Sequence, residues 1–201
     1  MVKLPKQTNK KTENTTDTKF IVVITVKLLV ISMITALLLS CVNALTVNKI
    51  AENAEREKAE AISSIFPEAE SNTPLENVLF EGMSAVYKVH AGENILGYVA
   101  EVNPLGFGGE MTVMVGVCTD GTVAGVKLIS HSETPGLGSR VEDANYLGQY
   151  VGKDKSTLKP KVDIDIITGS TVSSNAILDA VNNAVSIHKM IFPGSLMGGT
   201  K

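Results

Sequence analysis

The feature that most limits the folds open to this chain is the run from Phe20 to Val47, almost wholly apolar and broken by Lys27 and Asn43. A helix needs about 20 such residues to cross the hydrocarbon of a bilayer, so a single transmembrane helix is expected over residues 20–47. Lys27 decides where the crossing begins. A charge at the hydrocarbon centre costs roughly 3 kcal/mol on insertion scales, whereas one near a helix end reaches the headgroups. Leu28 to Val47 is then the spanning part, with Phe20 to Val26 interfacial or a tilted extension. Residues 1–19 carry Lys3, Lys6, Lys10, Lys11 and Lys19 against Glu13 and Asp17, which reads as a short cytoplasmic tail. The lysine excess points the N-terminus inward and the rest of the chain outward, making this a single-pass protein of the cell (inner) membrane with an extracytoplasmic domain. Leu38-Leu39-Ser40-Cys41 resembles a lipoprotein cleavage box with lipid on Cys41. Against cleavage, the apolar run is long for a signal peptide and continues past Cys41 through Val42, Ala44, Leu45 and Val47.

With 201 residues and 44% hydrophobic content, the chain can supply that span and one domain large enough to bury a core. The formal net charge of -3 gives no reason to expect nucleic acid as a partner. Cys41 and Cys118 form neither a disulfide framework nor a metal-ligand set, and His90, His131 and His188 lack ligand-like spacing. No metal site and no catalytic acid or base is expected.

Residues 48–77 read as a juxtamembrane helix and linker. Asn48 to Ile65 has apolar positions at Ile50, Ala54, Ala61, Ile62 and Ile65 and suits a surface helix leaving the membrane; Pro67 ends it, and Glu68 to Asn77 suits a linker or ordered loop. Residues 78–201 read as the domain. Ala85, Tyr87 and Val89 alternate, Gly92-Glu93-Asn94 turns the chain, and Ile95 to Val102 forms a second run. Met111 to Cys118 and Thr122 to Ser130 flank Asp120-Gly121, a strong hairpin signal. Asn145 to Tyr150 should contribute a short helix, and Ser173 to His188 a long helix packed on one face of a largely antiparallel sheet. The fold class expected is α+β.

Two stretches carry candidate chemistry. In Asp165-Ile166-Ile167-Thr168-Gly169-Ser170-Thr171-Val172-Ser173-Ser174, Val162, Ile164, Ile166 and Ile167 have the β-branched bias of a buried strand, whereas Ala176, Ile177, Ala180, Val181, Ala184 and Val185 recur at helical spacing. Ser173 or Ser174 is the expected N-cap. A helix N-terminus offers unpaired N–H groups and a positive dipole end to a phosphate, and Gly169 lets a ligand approach the backbone. The same residues also suit a plain capped helix after a strand. The second stretch is His131-Ser132-Glu133-Thr134-Pro135-Gly136-Leu137-Gly138, where Pro followed by Gly favours a type II turn. As a bare loop it is only a turn.

Asp165-x-x-Thr168-Gly169-Ser170-Thr171 resembles the flavinylation motif Asp-x-x-[Ser/Thr]-Gly-Ala-[Ser/Thr] of the FMN-binding domain family. That family includes the G subunit of the Rnf complex and the C subunit of Na+-translocating NADH:quinone reductase. Glu133 to Gly138 is similar to the family's loop beside the flavin, and the likeness extends through Gly92 to Val99 and Leu105-Gly106-Phe107-Gly108-Gly109, covering most of residues 78–188. The resemblance implies FMN joined covalently through its phosphate to Thr171 by a flavin transferase that uses FAD. Asp165 and Thr168 are then recognition or supporting residues, Gly169 gives close approach, and Ser173 and Ser174 hold the phosphate region. Val172 belongs to the same cofactor-binding stretch. Ser170 stands where Ala is usual and adds a second hydroxyl beside Thr171. Thr134, Pro135, Gly136, Leu137 and Gly138 border the isoalloxazine, with Leu137 as an apolar contact and Glu133 as a structural residue.

Length and the lone span look more like the Rnf member of the family than the longer quinone reductase member. The implied role is an electron-carrying subunit of a membrane complex that passes electrons between ferredoxin and NAD+ while moving Na+ or H+, with the other Rnf subunits as partners. The sequence has no NAD fingerprint, P-loop or iron–sulfur cysteine cluster, so that chemistry would reside in partners. A subunit of a related quinone reductase, a stand-alone or lipoprotein flavin carrier, and a scaffold without flavin are the alternatives.

Overall fold

The computed structural model describes residues 14–75, 82–154 and 157–193. The tail reading over residues 1–13 lies outside the described residues. The chain divides into two compact units between Ala54 and Glu55.

The first unit is helical. A single α-helix, α1, runs over Asn14–Ile65, continuing past this division. Its stretch from Phe20 to Val47 presents Leu, Ile, Val and Phe side chains outward all round, the surface a helix needs when its solvent is lipid rather than water. Its three threonine hydroxyls do not demand water either. Thr25, Thr35 and Thr46 donate to the carbonyls of Ile21, Ile31 and Val42, one turn back, at 2.9, 3.0 and 3.0 Å. Length and composition therefore suit a single-pass membrane anchor.

The second unit holds a five-stranded antiparallel meander in the order β1-β2-β3-β4-β5: Ser71–Pro74, Met83–Ala91, Asn94–Val102, Thr112–Cys118 and Val123–Ser130. Gly92, at φ +60°, and Gly121, at φ +89°, lie in the two tight turns that join β2 to β3 and β4 to β5. The strand β1 falls where sequence suggested a linker. It pairs with β2 from Ser71↔His90 to Pro74↔Tyr87, and Pro74 is tolerated because β1 is an edge.

One face of the sheet is covered by α3, Thr171–Ser186, whose Ile177, Ala180, Val181 and Ala184 pack on Tyr98, Ala100, Val113, Val115 and Val117. The Tyr98 hydroxyl donates to the Ala184 carbonyl at 2.7 Å, and burial pushes its pKa up, so the phenol stays neutral. The short helix α2, Ala144–Gly148, lies against β5, and a further turn, α4, His188–Ile191, follows α3. The other sheet face meets the end of α1. Ala61, Ile62, Ile65 and Phe66 pack on Val89, Val99 and Met114. Ile65 enters a slot left by Gly116, where an added Cβ would stand 2.2 Å from its Cγ2. Lys58 Nζ reaches the buried carboxylate of Glu101 at 3.0 Å. The helix expected on the surface over Asn48 to Ile65 is thus the continuation of α1, and its last turns are half of a core.

Two further expectations change. Val162 to Ile167 is not a sheet strand. Lys161 adopts φ +62°, Asp163 N–H bonds to the Lys159 carbonyl at 3.0 Å, and a one-residue bridge joins Pro160 to Ile164. Only Ile164 of the four β-branched residues is fully buried, while Val162 is 78% exposed. Helix α3 also starts earlier than its serines suggested. Ser170 is the N-cap residue and its carbonyl already accepts from Ser174 N–H at 2.8 Å, so Ser173 and Ser174 lie inside the first turn. The turn Ile167–Ser170, closed by Ser170 N–H to the Ile167 carbonyl with Gly169 at φ +89°, brings the chain into the helix early.

Candidate functional site

The two motifs meet. The loop after β5 turns at Thr134-Pro135-Gly136-Leu137, with Leu137 N–H donating to the Thr134 carbonyl at 3.2 Å and Gly136 at φ +76°, a type II turn of the expected kind. A 3-10 helix, Gly138–Glu142, follows at once. The Ser170 hydroxyl donates to the Leu137 carbonyl, tying this turn to the N-cap of α3. Ser170 is 3% exposed, so its hydroxyl is engaged and turned inward, whereas Thr171 is exposed.

Between the motifs is a cavity of about 210 Å³ lined by Phe107, Glu133, Thr134, Leu137, Gly138 and Gly169 to Ser173. Its rim is apolar, for Phe107, Leu137 and Val172 are exposed. Its inner wall is polar. Ser173 is fully buried with no partner for Oγ among the described residues. The first three N–H groups of α3, on Thr171, Val172 and Ser173, have no intrahelical acceptor by position, and the side chain of the N-cap residue, Ser170, does not cap them.

Glu133 is built into the wall. Its Oε1 accepts from Gly108 N–H at 3.1 Å, and Gly106 and Gly138 press on the carboxylate so closely that a Cβ on either would lie 2.1 Å from an oxygen. This explains why those positions are glycine, and it fits the structural role expected for Glu133. Gly169 does for the helix start what Gly138 does for the loop: a Cβ there would sit 3.1 Å from Leu137 Cδ1.

Not every expected residue lines this cavity. Pro135 and Gly136 make the turn but stay off the wall, and Ser174 faces the core with a hydroxyl that has no partner among the described residues. Asp165 and Thr168 line a neighbouring cavity of about 450 Å³ with Arg140, Asp143, Asn145, Tyr146 and Gln149. Gln149 Oε1 accepts from Asp165 N–H at 2.9 Å and so fixes the segment entering the turn. The Tyr146 hydroxyl contacts Tyr150 at 3.0 Å and donates to the Ser174 carbonyl at 3.2 Å; burial raises its pKa and keeps it neutral. Sequence reasoning passed over Phe107 and Arg140 as site residues. Each carried a signal: an aromatic flanked by glycines, and a cation just after the Pro-Gly loop.

The wall suits a group with an anionic end and a flat apolar body. Free helix N–H groups and a buried orphan hydroxyl face the α3 end, and the exposed Leu137, Val172 and Phe107 offer apolar contact to a ring.

Residues 106–186 match the FMN-binding domain family. The chain is 37% identical over 141 residues to a Methanosarcina acetivorans protein named as the G subunit of an ion-translocating oxidoreductase complex, covering 66% of this chain and 74% of that one. It is 34% identical over 108 residues to the G subunit of the proton-translocating ferredoxin:NAD+ oxidoreductase complex of Clostridium ljungdahlii, covering 49% and 57%. The crystal structure of Shewanella oneidensis NqrC covers 67% of this chain and 74% of its own, with a TM-score of 0.46 and 21% identity.

Proposed function

The chain belongs to the family of ion-translocating oxidoreductase complex G subunits with an FMN-binding domain, and from that premise we propose that it is a membrane-anchored electron carrier holding covalent FMN on Thr171. The carrying observation is the cavity that sets Thr134, Leu137 and Gly138 against Gly169 to Ser173, with Thr171 exposed at the first position of α3. FMN supplies one- and two-electron redox chemistry when bound. The chain's own residues do the rest. Thr171 tethers the phosphate, the N–H groups of α3 meet its charge, and Leu137, Val172 and Phe107 shield a ring face from water.

Loading takes a flavin transferase as partner: the Thr171 Oγ1–phosphorus bond forms as the phosphoanhydride of FAD breaks, and AMP leaves with the threonine proton. Of the two adjacent hydroxyls, Thr171 is the nucleophile because Ser170 is buried and bonded to Leu137. Asp165 and Thr168, on the exposed segment just before the helix, are available to such a partner. Val172, Ser173 and Ser174 complete the first turn; Ser174 supports it from the core side.

The complex passes electrons between ferredoxin and NAD+ and moves Na+ or H+, and the remaining redox centres lie in the other subunits. Residues 20–47 anchor the chain, residues 1–19 lie in the cytoplasm, and the part that carries FMN lies outside it. A tether suits that side, where a dissociated cofactor would be diluted away.

The test is complementation. Membranes of a strain lacking this protein should regain ferredoxin-dependent NAD+ reduction with the native chain and not with Thr171→Ala, although both chains insert equally. Full restoration by Thr171→Ala would refute the assignment.

A further inference from the structure

Two cavities divide the segment Asp165 to Ser173 between them: the one that holds Thr171 has Glu133 as its charged side chain, and the other has Asp143, Asp165 and the guanidinium of Arg140. A phosphate brought to the N-terminus of α3 therefore enters a region whose side chains sum to negative charge. The helix N–H groups and a single guanidinium are what oppose it. None of the ion pairs among the described residues uses Arg140.

Its position is tied to the helix start. Arg140 N–H donates to the Leu137 carbonyl at 3.3 Å, and the Ser170 hydroxyl donates to the same oxygen. The residue next to Thr171 and the backbone of Arg140 thus converge on one atom. A second observation marks the Thr171 side as one made for a ligand: Ser173, fully buried in the first turn of α3, lines the cavity that holds Thr171 with a hydroxyl that has no partner among the described residues.

We propose that Arg140 is the positioning residue for the FMN phosphate, turning its guanidinium from the Asp165 and Asp143 side toward the phosphoryl oxygens at Thr171. The planar fork suits two phosphoryl oxygens at once, which a lysine matches in charge but not in geometry. A phosphodiester keeps one negative charge after attachment, so the contact persists in the loaded chain. This inference rests on Thr171 as the attachment point.

The experiment uses the full-length chain in detergent, made without flavin and then loaded with purified transferase and FAD. Native, Arg140→Gln and Arg140→Lys chains are compared by the rate of covalent loading, followed by intact mass, and by the 31P resonance of the loaded phosphoester. Arg140→Gln should slow loading by about tenfold or more, the scale of one lost charge-assisted hydrogen bond, and should move the resonance. Arg140→Lys should recover most of the rate and part of the resonance position. Unchanged loading and an unmoved resonance in Arg140→Gln would overturn the proposal. So would slowed loading with an unmoved resonance, which would place the guanidinium on the transferase rather than the phosphate. Failure of Arg140→Gln to load, with a lowered Tm and no recovery in Arg140→Lys, would also overturn it by making Arg140 a folding residue. Flavin found away from Thr171 in the native chain would instead sink the attachment reading itself.

Discussion

Ile65 at the end of α1 fills the slot over Gly116, and this contact can be tested from both sides. Ile65 is 9% exposed and lies in the cluster with Phe66, Val99 and Met114, so Ile65→Ala should cost about 2–5 kcal/mol in lost burial and cavity formation. Gly116→Ala places a methyl 2.2 Å from Ile65 Cγ2 and 3.0 Å from Phe66 Cε2. That overlap has to be relieved by moving the helix end, at about 1–3 kcal/mol. In the double variant the Ile65 Cγ2 methyl is gone, and what remains is the close Phe66 contact and an ordinary one to Ala124 Cβ at 3.6 Å. The costs should therefore fall short of additive by about 1–2 kcal/mol, within the coupling expected of residues in contact. Thermal unfolding of the four full-length chains in one detergent gives the cycle. Each kcal/mol corresponds to about 2–4 °C at this chain length. Strictly additive shifts would refute the seating of Ile65 on Gly116.

Ser170→Ala removes the bond to the Leu137 carbonyl and should lower stability by about 1 kcal/mol while leaving covalent flavin in place, read as flavin fluorescence in a denaturing gel. Glu133→Ala strips an acceptor from Gly108 N–H and opens a void between Gly106 and Gly138, and should cost about 1–3 kcal/mol, visible as a lower Tm. His188 is 2% exposed, stacked on Tyr98 and tilted against Phe192, and burial lowers its pKa. Its unfolded form thus takes up protons first, so stability should be unaffected well above the ordinary imidazole value and fall as pH drops through it. A Tm series from about pH 8 to about pH 5, spanning the ordinary imidazole range, should show that slope in the native chain and a shallower one in His188→Phe. For sidedness, a cysteine placed at Ser71 in a chain lacking Cys41 and Cys118 should react with an impermeant reagent in intact cells. Labelling only after the cells are opened would reverse the orientation.

How far the sequence could be read follows from how local each signal was. Asp120-Gly121 and the Gly92 turn announced their hairpins because turn chemistry is carried by the turn residues themselves. The type II turn at Pro135-Gly136 was equally plain. The strand read over Val162 to Ile167 failed because β-branched residues report only a tendency, and Lys161 at positive φ with the Lys159–Asp163 turn redirected the chain. The cap of α3 was placed late because Ser170, Ser173 and Ser174 look alike in sequence. The Ile167–Ser170 turn through Gly169 and the long-range bond from Ser170 to Leu137 distinguish them. The same reason hid Arg140 and Phe107, whose neighbours across the cavities are distant in the chain. The end of α1 was read as surface because Ala61, Ile62 and Ile65 gave no sign of the sheet face they pack on or of the glycine slot that receives Ile65.

The central claim is the identity of the attachment residue, and the most direct measurement is peptide mapping by mass spectrometry of the native, full-length chain isolated from membranes of cells that possess the flavin transferase. The account predicts one flavin per chain, carried through a phosphoester on Thr171, with Ser170 unmodified in the same peptide. A chain with the mass of the bare polypeptide, or a flavin located on Ser170, would contradict it.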